Sequence, residues 1–387
     1  DDDAFQTYLN KRGFTSISDM PVNEVSKLIG YHVLYYSYNK EKLVNFRPTG
    51  STETEEEQNI KAGLYYKHRT RSSDAPTVET TPTGASVMVY HLERYLPIFS
   101  YRYFQTKGID AKNNYEAFYP NSTWTGDDGF NVSNASVKEY GIIANNGYIH
   151  AVDRVVEPLE TIYTELKNKE KYSTFLDLYD SFGVYVADDE LSKSYAKAYG
   201  VDTLYQYQHG GLPNIACEWP TSSYLNFTAL TALSYSIFAP SNTAINSFFD
   251  SFWKIGGYSS MQEVDALALN YFLYQFIYGG SMLFPEELGD DELKNLAGSS
   301  LNINPAALNE KTMCVNGALY GMDEIKEPST FASVIGPLFQ YKSARSFLYA
   351  LLGSSLFSSY VSDLSKYIVL VPTAEQFEAS GIRTVYS

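Results

Sequence analysis

Catalysis and metal binding need side chains that carry protons or electron pairs at set spacings, and this chain holds few such arrangements. Its histidines are His32, His68, His91, His150 and His209. None stands two or four residues from another, the spacings at which a strand or helix aims two imidazoles at one zinc ion. Acidic doublets occur at Asp127-Asp128, Asp188-Asp189 and Asp290-Asp291. A glycosidase needs two carboxyls at a defined separation, and these doublets read more simply as solvated loop charge. Asp127-Asp128-Gly129 lacks the alternating oxygen ligands of a calcium loop. No Gly-x-Ser-x-Gly elbow, Gly-rich phosphate loop or dinucleotide fingerprint is present. Cys217 and Cys314 are the only cysteines and read as small buried residues, not as a disulfide scaffold. The expectation is no catalytic residue, no cofactor and no metal.

Repetition is more informative than any single motif. Asn146 to Pro158 reads NGYIHAVDRVVEP and Asn316 to Pro328 reads NGALYGMDEIKEP. Asn, Gly, Asp, Glu and Pro recur in place without a gap. The pattern is a tight Asn-Gly turn feeding a half-buried strand that Glu-Pro ends. Asn146-Gly147 and Asn316-Gly317 are therefore turn residues. Asp153 and Asp323 match across the copies and read as carboxylates that hold backbone N–H groups, not as metal or acid–base groups. A second pair aligns Tyr31-His32-Val33-Leu34-Tyr35 with Tyr274-Gln275-Phe276-Ile277-Tyr278, each after a helix-like stretch, Pro21 to Ile29 and Glu263 to Phe272. Gln275 keeps a donor and an acceptor where His32 stands but cannot titrate, which favours a structural role for both. A third pair aligns Tyr235 to Ile245, YSIFAPSNTAI, with Tyr367 to Phe377, YIVLVPTAEQF. Each is an apolar strand stopped by Pro, at Pro240 in the first, then a Ser or Thr able to cap a helix. Asp1 to Phe5 fits the tail of the same element.

Aromatic residues offer the best candidates for contact. Thirty-five Tyr stand against three Trp. Within 183–225, Tyr205, Tyr207 and Trp219 are placed to stack on sugar rings or a partner protein, the competing reading being that they cover the adjacent sheet. Segment 47–84 is rich in Thr, Ser, Glu and Pro and reads as an exposed loop. Segment 85–105 is apolar and aromatic and reads as packed strand or helix.

The elements that must position these residues follow from composition and layout. The chain has 387 residues, a formal net charge of −16 and 44% hydrophobic residues. It can bury real cores, and its charge argues against a broad nucleic-acid surface. No apolar run reaches 18 residues, so no transmembrane segment is expected. The opening Asp1-Asp2-Asp3 reads as a cut inside a longer protein, and the expectation is that the protein extends beyond both ends.

FAPSNTAI resembles the first signature of fasciclin-type (FAS1) domains. The two Asn-Gly segments resemble the second signature, and Tyr31-His32 resembles the tyrosine–histidine motif between them. The resemblance implies an α+β fold of tandem FAS1-like β-wedge units with short helices packed at one side. It implies a first domain at 1–165, without its N-terminal strand and with an insertion near 46–136. A second would span 166–328 with an insertion near 183–225, and a partial third 329–387. A missing core strand leaves an open sheet edge, which proteins normally cover; one alternative is that Tyr367 to Val371 completes the first unit. The resemblance also implies an extracellular adhesion or binding protein that contacts protein or glycan through its loops, with Tyr31 and His32 as further contact candidates. The large insertions and aromatic excess are similar to Bacteroidetes-type bacterial surface lipoproteins. That implies a location at the cell surface, the outer membrane or the periplasm, with a lipid anchor in the precursor. The alternatives are a carbohydrate-processing enzyme with its site in the insertions, and a structural spacer.

Overall fold

Short apolar strands separated by Gly, Asn and Pro cannot bury themselves alone, and among the described residues they assemble into three sheets. The computed structural model describes residues 2–45, 66–91, 93–216, 234–290, 292–301, 303–354, 356–357 and 366–382. The first sheet is antiparallel. It contains β1 (Lys67–Ser73), β4 (Glu93–Ser100), β5 (Phe130–Val132), β6 (Ala135–Ala144) and β7 (Gly147–Val152), in that order across the sheet. The second contains β2 (Thr77–Thr80), β3 (Ser86–Val89), β8 (Gly183–Ala187) and β9 (Tyr205–His209), in the order β2-β3-β9-β8. The third contains β10 (Tyr235–Pro240), β11 (Ile277–Gly279), β12 (Leu308–Cys314) and β13 (Gly317–Met322), in the order β11-β10-β13-β12. With helices packed around these sheets, the architecture is α+β.

The repeated segments take equivalent places. β6 and β7 form one antiparallel hairpin, with Ile142 opposite Ile149 and Ala144 opposite Gly147. β12 and β13 form another, with Thr312 opposite Leu319 and Cys314 opposite Gly317. The glycine is thus the first strand residue, and the two-residue loops are Asn145-Asn146 and Val315-Asn316. β10 lies parallel to β13, Phe238 facing Tyr320, and antiparallel to β11, Ile237 facing Ile277. Pro240 is the last residue of β10, and the Ser241 N–H after it donates to the Met322 carbonyl at 2.8 Å. Ser241 then caps the helix Asn242–Ser251, its hydroxyl accepting the Ala244 N–H. Thr373 caps Ala374–Ala379 in the same way, through the Gln376 N–H. The segment before it, 366–372, joins none of the three sheets, so Tyr367 to Val371 does not complete the first sheet within this chain.

One continuous core runs from Tyr66, Phe99 and Tyr115 through Phe238, Trp253 and Phe272 to Phe331, Phe339 and Leu351. Residues of all three proposed domains meet in it. A smaller core under the first sheet holds Tyr31, Leu96, Ile98, Phe130 and Val137. Two features were not foreseen. β1 lies inside the stretch read as an exposed loop, yet Lys67, His68, Thr70 and Ser72 are buried. β3 and β9, from the two insertions, join by a parallel bridge of Val89 to Tyr205. Cys314 is buried, its thiol pushed well above its ordinary pKa by burial; Cys217 lies outside the described residues. Among the described residues no helix is long and apolar enough to cross a membrane.

Candidate functional site

The shared β3–β9 seam opens into a polar cleft of about 520 Å³, lined by Lys27, Asp74, Glu79, Tyr90, Arg94, Glu160, Tyr163 and Tyr207 among others. Its floor is an ion-pair cluster. Arg94, on strand β4 just before its apolar stretch 95–99, is buried; its Nε donates to Asp74 Oδ2 at 3.0 Å, its Nη2 to Glu160 Oε2 at 2.9 Å, and its Nη1 to the Leu159 carbonyl at 2.6 Å. Lys27 Nζ adds a 2.6 Å contact to Asp74 Oδ1. Burial alone would raise the Asp74 pKa, but Arg94 and Lys27 reverse this and hold the carboxyl below its ordinary range. That is the wrong direction for a general acid.

Tyrosines form one wall. Tyr207 Oη donates to Asp180 Oδ1 at 2.9 Å and Tyr163 Oη to Asp180 Oδ2 at 3.2 Å. Tyr185 is not part of the lining; its ring packs 5.0 Å from that of Tyr207, and its Oη donates to Glu79 Oε2 at 2.9 Å. Burial, reinforced by these carboxylates, raises all three phenols, Tyr185 to about 12, so they stay neutral donors. The rings of Tyr207 and Tyr163 lie 5.6 Å apart, edge to face. Such a wall offers ring faces and fixed hydroxyls together, the pairing that sugars and peptide groups both use. His91, beside Thr77 Oγ1 at 3.0 Å, is lowered by burial.

A second concave surface is an apolar groove of about 490 Å³ beside β7, lined by His32, Val33, Leu34, Tyr148, Ile149 and His150 among others. His32 and Tyr31 belong to its frame. His32 Nδ1 lies 2.9 Å from the Leu28 carbonyl, and Nε2 accepts the Val156 N–H at 3.0 Å. Both ring nitrogens serve the backbone, and burial lowers the pKa. Gln275 repeats the first of these bonds with its amide, donating to the Tyr271 carbonyl at 3.1 Å, again four residues back, while its Oε1 accepts from the Asn295 side chain at 3.2 Å. Tyr31 is wholly buried, its hydroxyl donating to the Tyr95 carbonyl at 2.9 Å.

The remaining sequence candidates fall as follows. Tyr207 lines the polar cleft; Tyr205 is half-buried on the same strand and is not part of the lining. Trp219 lies outside the described residues. Asp153 Oδ1 accepts the Ser136 N–H at 2.8 Å and its carboxylate pairs with Arg154 at 2.9 Å, whereas Asp323 is exposed and pairs with Lys171 at 3.0 Å. Asn146 and Gly147 line the groove, while Asn316 is buried, accepting the Ile162 N–H and donating to the Ile215 carbonyl. Pro240 closes β10. Sequence reasoning missed Arg94, Asp74, Glu160 and Tyr163. The available signal was Arg94 itself, a cation at the head of the apolar run of β4, which once buried requires partners.

Among the described residues no group of three or more His, Cys, Asp or Glu side chains is placed to hold a metal ion. No family model and no curated protein matches the chain. Among solved structures it is similar to the FAS1 domain pair of the insect cell adhesion molecule fasciclin I, at 11% identity over 78% of this chain and 80% of that one, with a TM-score of 0.27, a superposition too loose to carry an argument about function.

Proposed function

We propose that the protein binds an extracellular protein or glycan through the polar cleft at the β3–β9 seam and does not transform it. The observation that carries this reading is the pair of lining tyrosines, Tyr163 and Tyr207, both fixed by Asp180 and backed by Tyr185, in one cleft with the charged Arg94 cluster. A rigid aromatic face beside buried, mutually neutralising charges suits recognition. The cleft's carboxylates already accept from Arg, Lys, Tyr or Thr donors, which supports binding over acid–base turnover. The same reading makes the protein a bacterial cell-surface or periplasmic component of the FAS1 type, where modest affinity per site rises with several contacts. The test is a glycan array together with binding to matrix proteins. Tyr207→Ala is expected to weaken the captured ligand at least about tenfold, and Tyr207→Phe less. Unchanged binding by Tyr207→Ala, or hydrolysis of an array glycan, would overturn it.

A further inference from the structure

Tyrosines continue outward from the polar cleft. Tyr90 follows β3 and lines the cleft, and its N–H donates to the Tyr205 carbonyl at 3.0 Å, which extends the β3–β9 seam by one residue. Its ring stacks on that of Tyr195, with centroids 5.1 Å and planes 12° apart, and meets the Tyr199 ring edge to face at 6.1 Å. Both partners come from the segment between β8 and β9. Tyr195 ends the helix Asp189–Tyr195, and Tyr199 ends the single turn Ala196–Tyr199, which Gly200 closes at φ +69°. This segment is anchored. Leu191, Ala196 and Leu204 are buried, and Tyr90 and Tyr195 pack against them. Asp188 caps the helix through the Leu191 N–H at 2.9 Å, and Ser192 Oγ accepts the Leu204 N–H at 2.9 Å. Tyr199 is nonetheless 44% exposed, while Tyr90 and Tyr195 are half-buried. Three rings on separate elements thus form a held aromatic platform, and Tyr90 belongs to both platform and cleft.

The charges of the cleft decide what chemistry suits both. Lys27 and Arg94 pair with Asp74 and Glu160, and Glu79 accepts from Tyr185 and Thr77. Lys167, which is exposed, is the lining cation without an ion pair among the described residues. A charged ligand would find most of its counter-charges already paired, whereas an uncharged ligand rich in hydroxyls needs only donors, acceptors and ring faces. A sugar ring has that make-up. Its C–H faces meet the negative face of a phenol, and its rim of hydroxyls meets the polar groups around it. Resting on the reading of the cleft as the binding site, we propose that its ligand is a linear, uncharged glycan. One part lies in the cleft against Tyr163 and Tyr207, and the chain runs over Tyr90 onto Tyr195 and Tyr199 as an outer subsite. The second contact is made by a ligand that the first already holds, so affinity rises with chain length until both are spanned and then levels off.

The test is titration calorimetry of the whole chain with uncharged oligosaccharides of increasing length, in glucose, xylose, mannose and N-acetylglucosamine series. The expected result is that at least one series binds, that affinity rises at least about tenfold from its shortest binding member to its plateau, and that added sodium chloride changes it less than about twofold. Tyr199→Ala, at an exposed position, should keep the parent's circular dichroism and its affinity for the shortest member but lose most of the gain with length. Tyr199→Phe, which keeps the ring, should retain that gain. Tyr207→Ala should weaken short and long members alike. Affinity that does not grow with length, or growth that Tyr199→Ala leaves intact, would overturn the outer subsite; if Tyr207→Ala still weakens binding, the cleft itself stands. Unchanged binding by Tyr207→Ala would overturn both readings. Binding only by acidic or sulfated glycans, with steep salt dependence, or only by a matrix protein, would overturn the choice of an uncharged glycan.

Discussion

β7 and β13 start from the same kind of Asn-Gly pair and run along equivalent antiparallel partners, β6 and β12, yet among the described residues one is an edge and the other is sheet interior. The difference lies in one strand. Where β10 is present, Leu319, Ala318 and Tyr320 are sealed, and Phe238 stacks on Tyr320 with centroids 5.1 Å apart. Beside β7 the described residues place no such strand, and the equivalent residues Tyr148 and Ile149 are exposed along the groove. Local pattern thus sets the hairpin, and a long-range partner sets whether its outer face is core or surface.

The strongest way to break this comparison is to truncate matched residues of the two YSIFAP-like segments. Phe238→Ala removes a fully buried ring and should cost about 3–5 kcal/mol. Leu370→Ala, the aligned change, falls on an exposed residue and should stay within about 0.5 kcal/mol. Urea unfolding measures both. An equal loss for the two would mean that Tyr367–Pro372 is packed against the rest of the protein.

The glycines sharpen it further. Gly317 has φ +142° and faces a backbone carbonyl that cannot step aside, so Gly317→Ala should cost about 3 kcal/mol. Gly147→Ala should be neutral or slightly stabilising, because the strand gains a better residue and strikes nothing. Thermal unfolding of the two variants is the check, and a comparable loss at both positions would show that a strand already lies against Gly147.

What the sequence revealed was local. The repeated hairpins, the proline that ends β10, the caps at Ser241 and Thr373 and the bond that His32 and Gln275 each make to the carbonyl four residues back depend on residues within a few positions of one another. What it hid was long-range. KHRTRSS of β1 has the composition of a loop, and it is buried because partners far along the chain satisfy it. Thr70 Oγ1 donates to the Arg94 carbonyl at 2.6 Å, and the Arg69 and Arg71 guanidinium groups lie over the Tyr35 ring at 4.5 and 4.9 Å. The polar cleft was hidden for the same reason: Tyr207 was visible as an aromatic, but Tyr163, Asp74 and Arg94 come to it from separate elements. No periodicity announces that β3 and β9 will share a sheet.

The smallest effect concerns pH, and it again sets the first region against the second. The first holds His32 and His68, both lowered by burial, His68 to about 3 with the Tyr38 ring 4.8 Å away. The second holds Gln275 in the place of His32. A histidine whose folded pKa is depressed binds its proton more readily in the unfolded chain. Its contribution to stability is therefore complete above about pH 6.5 and is lost progressively as pH falls toward the folded value. For His68 that amounts to about 2 kcal/mol between pH 6.5 and 5. His32→Gln copies the arrangement that Gln275 already sustains, so it should fold normally at pH 7.5 and lose less stability on acidification than the parent chain. Denaturant midpoints at pH 7.5 and 5 decide the matter. A variant that acidification weakens as much as the parent would show that protonation of the His32 ring, which turns the Nε2 acceptor of the Val156 N–H into a donor, is not what the acid loss of stability reports.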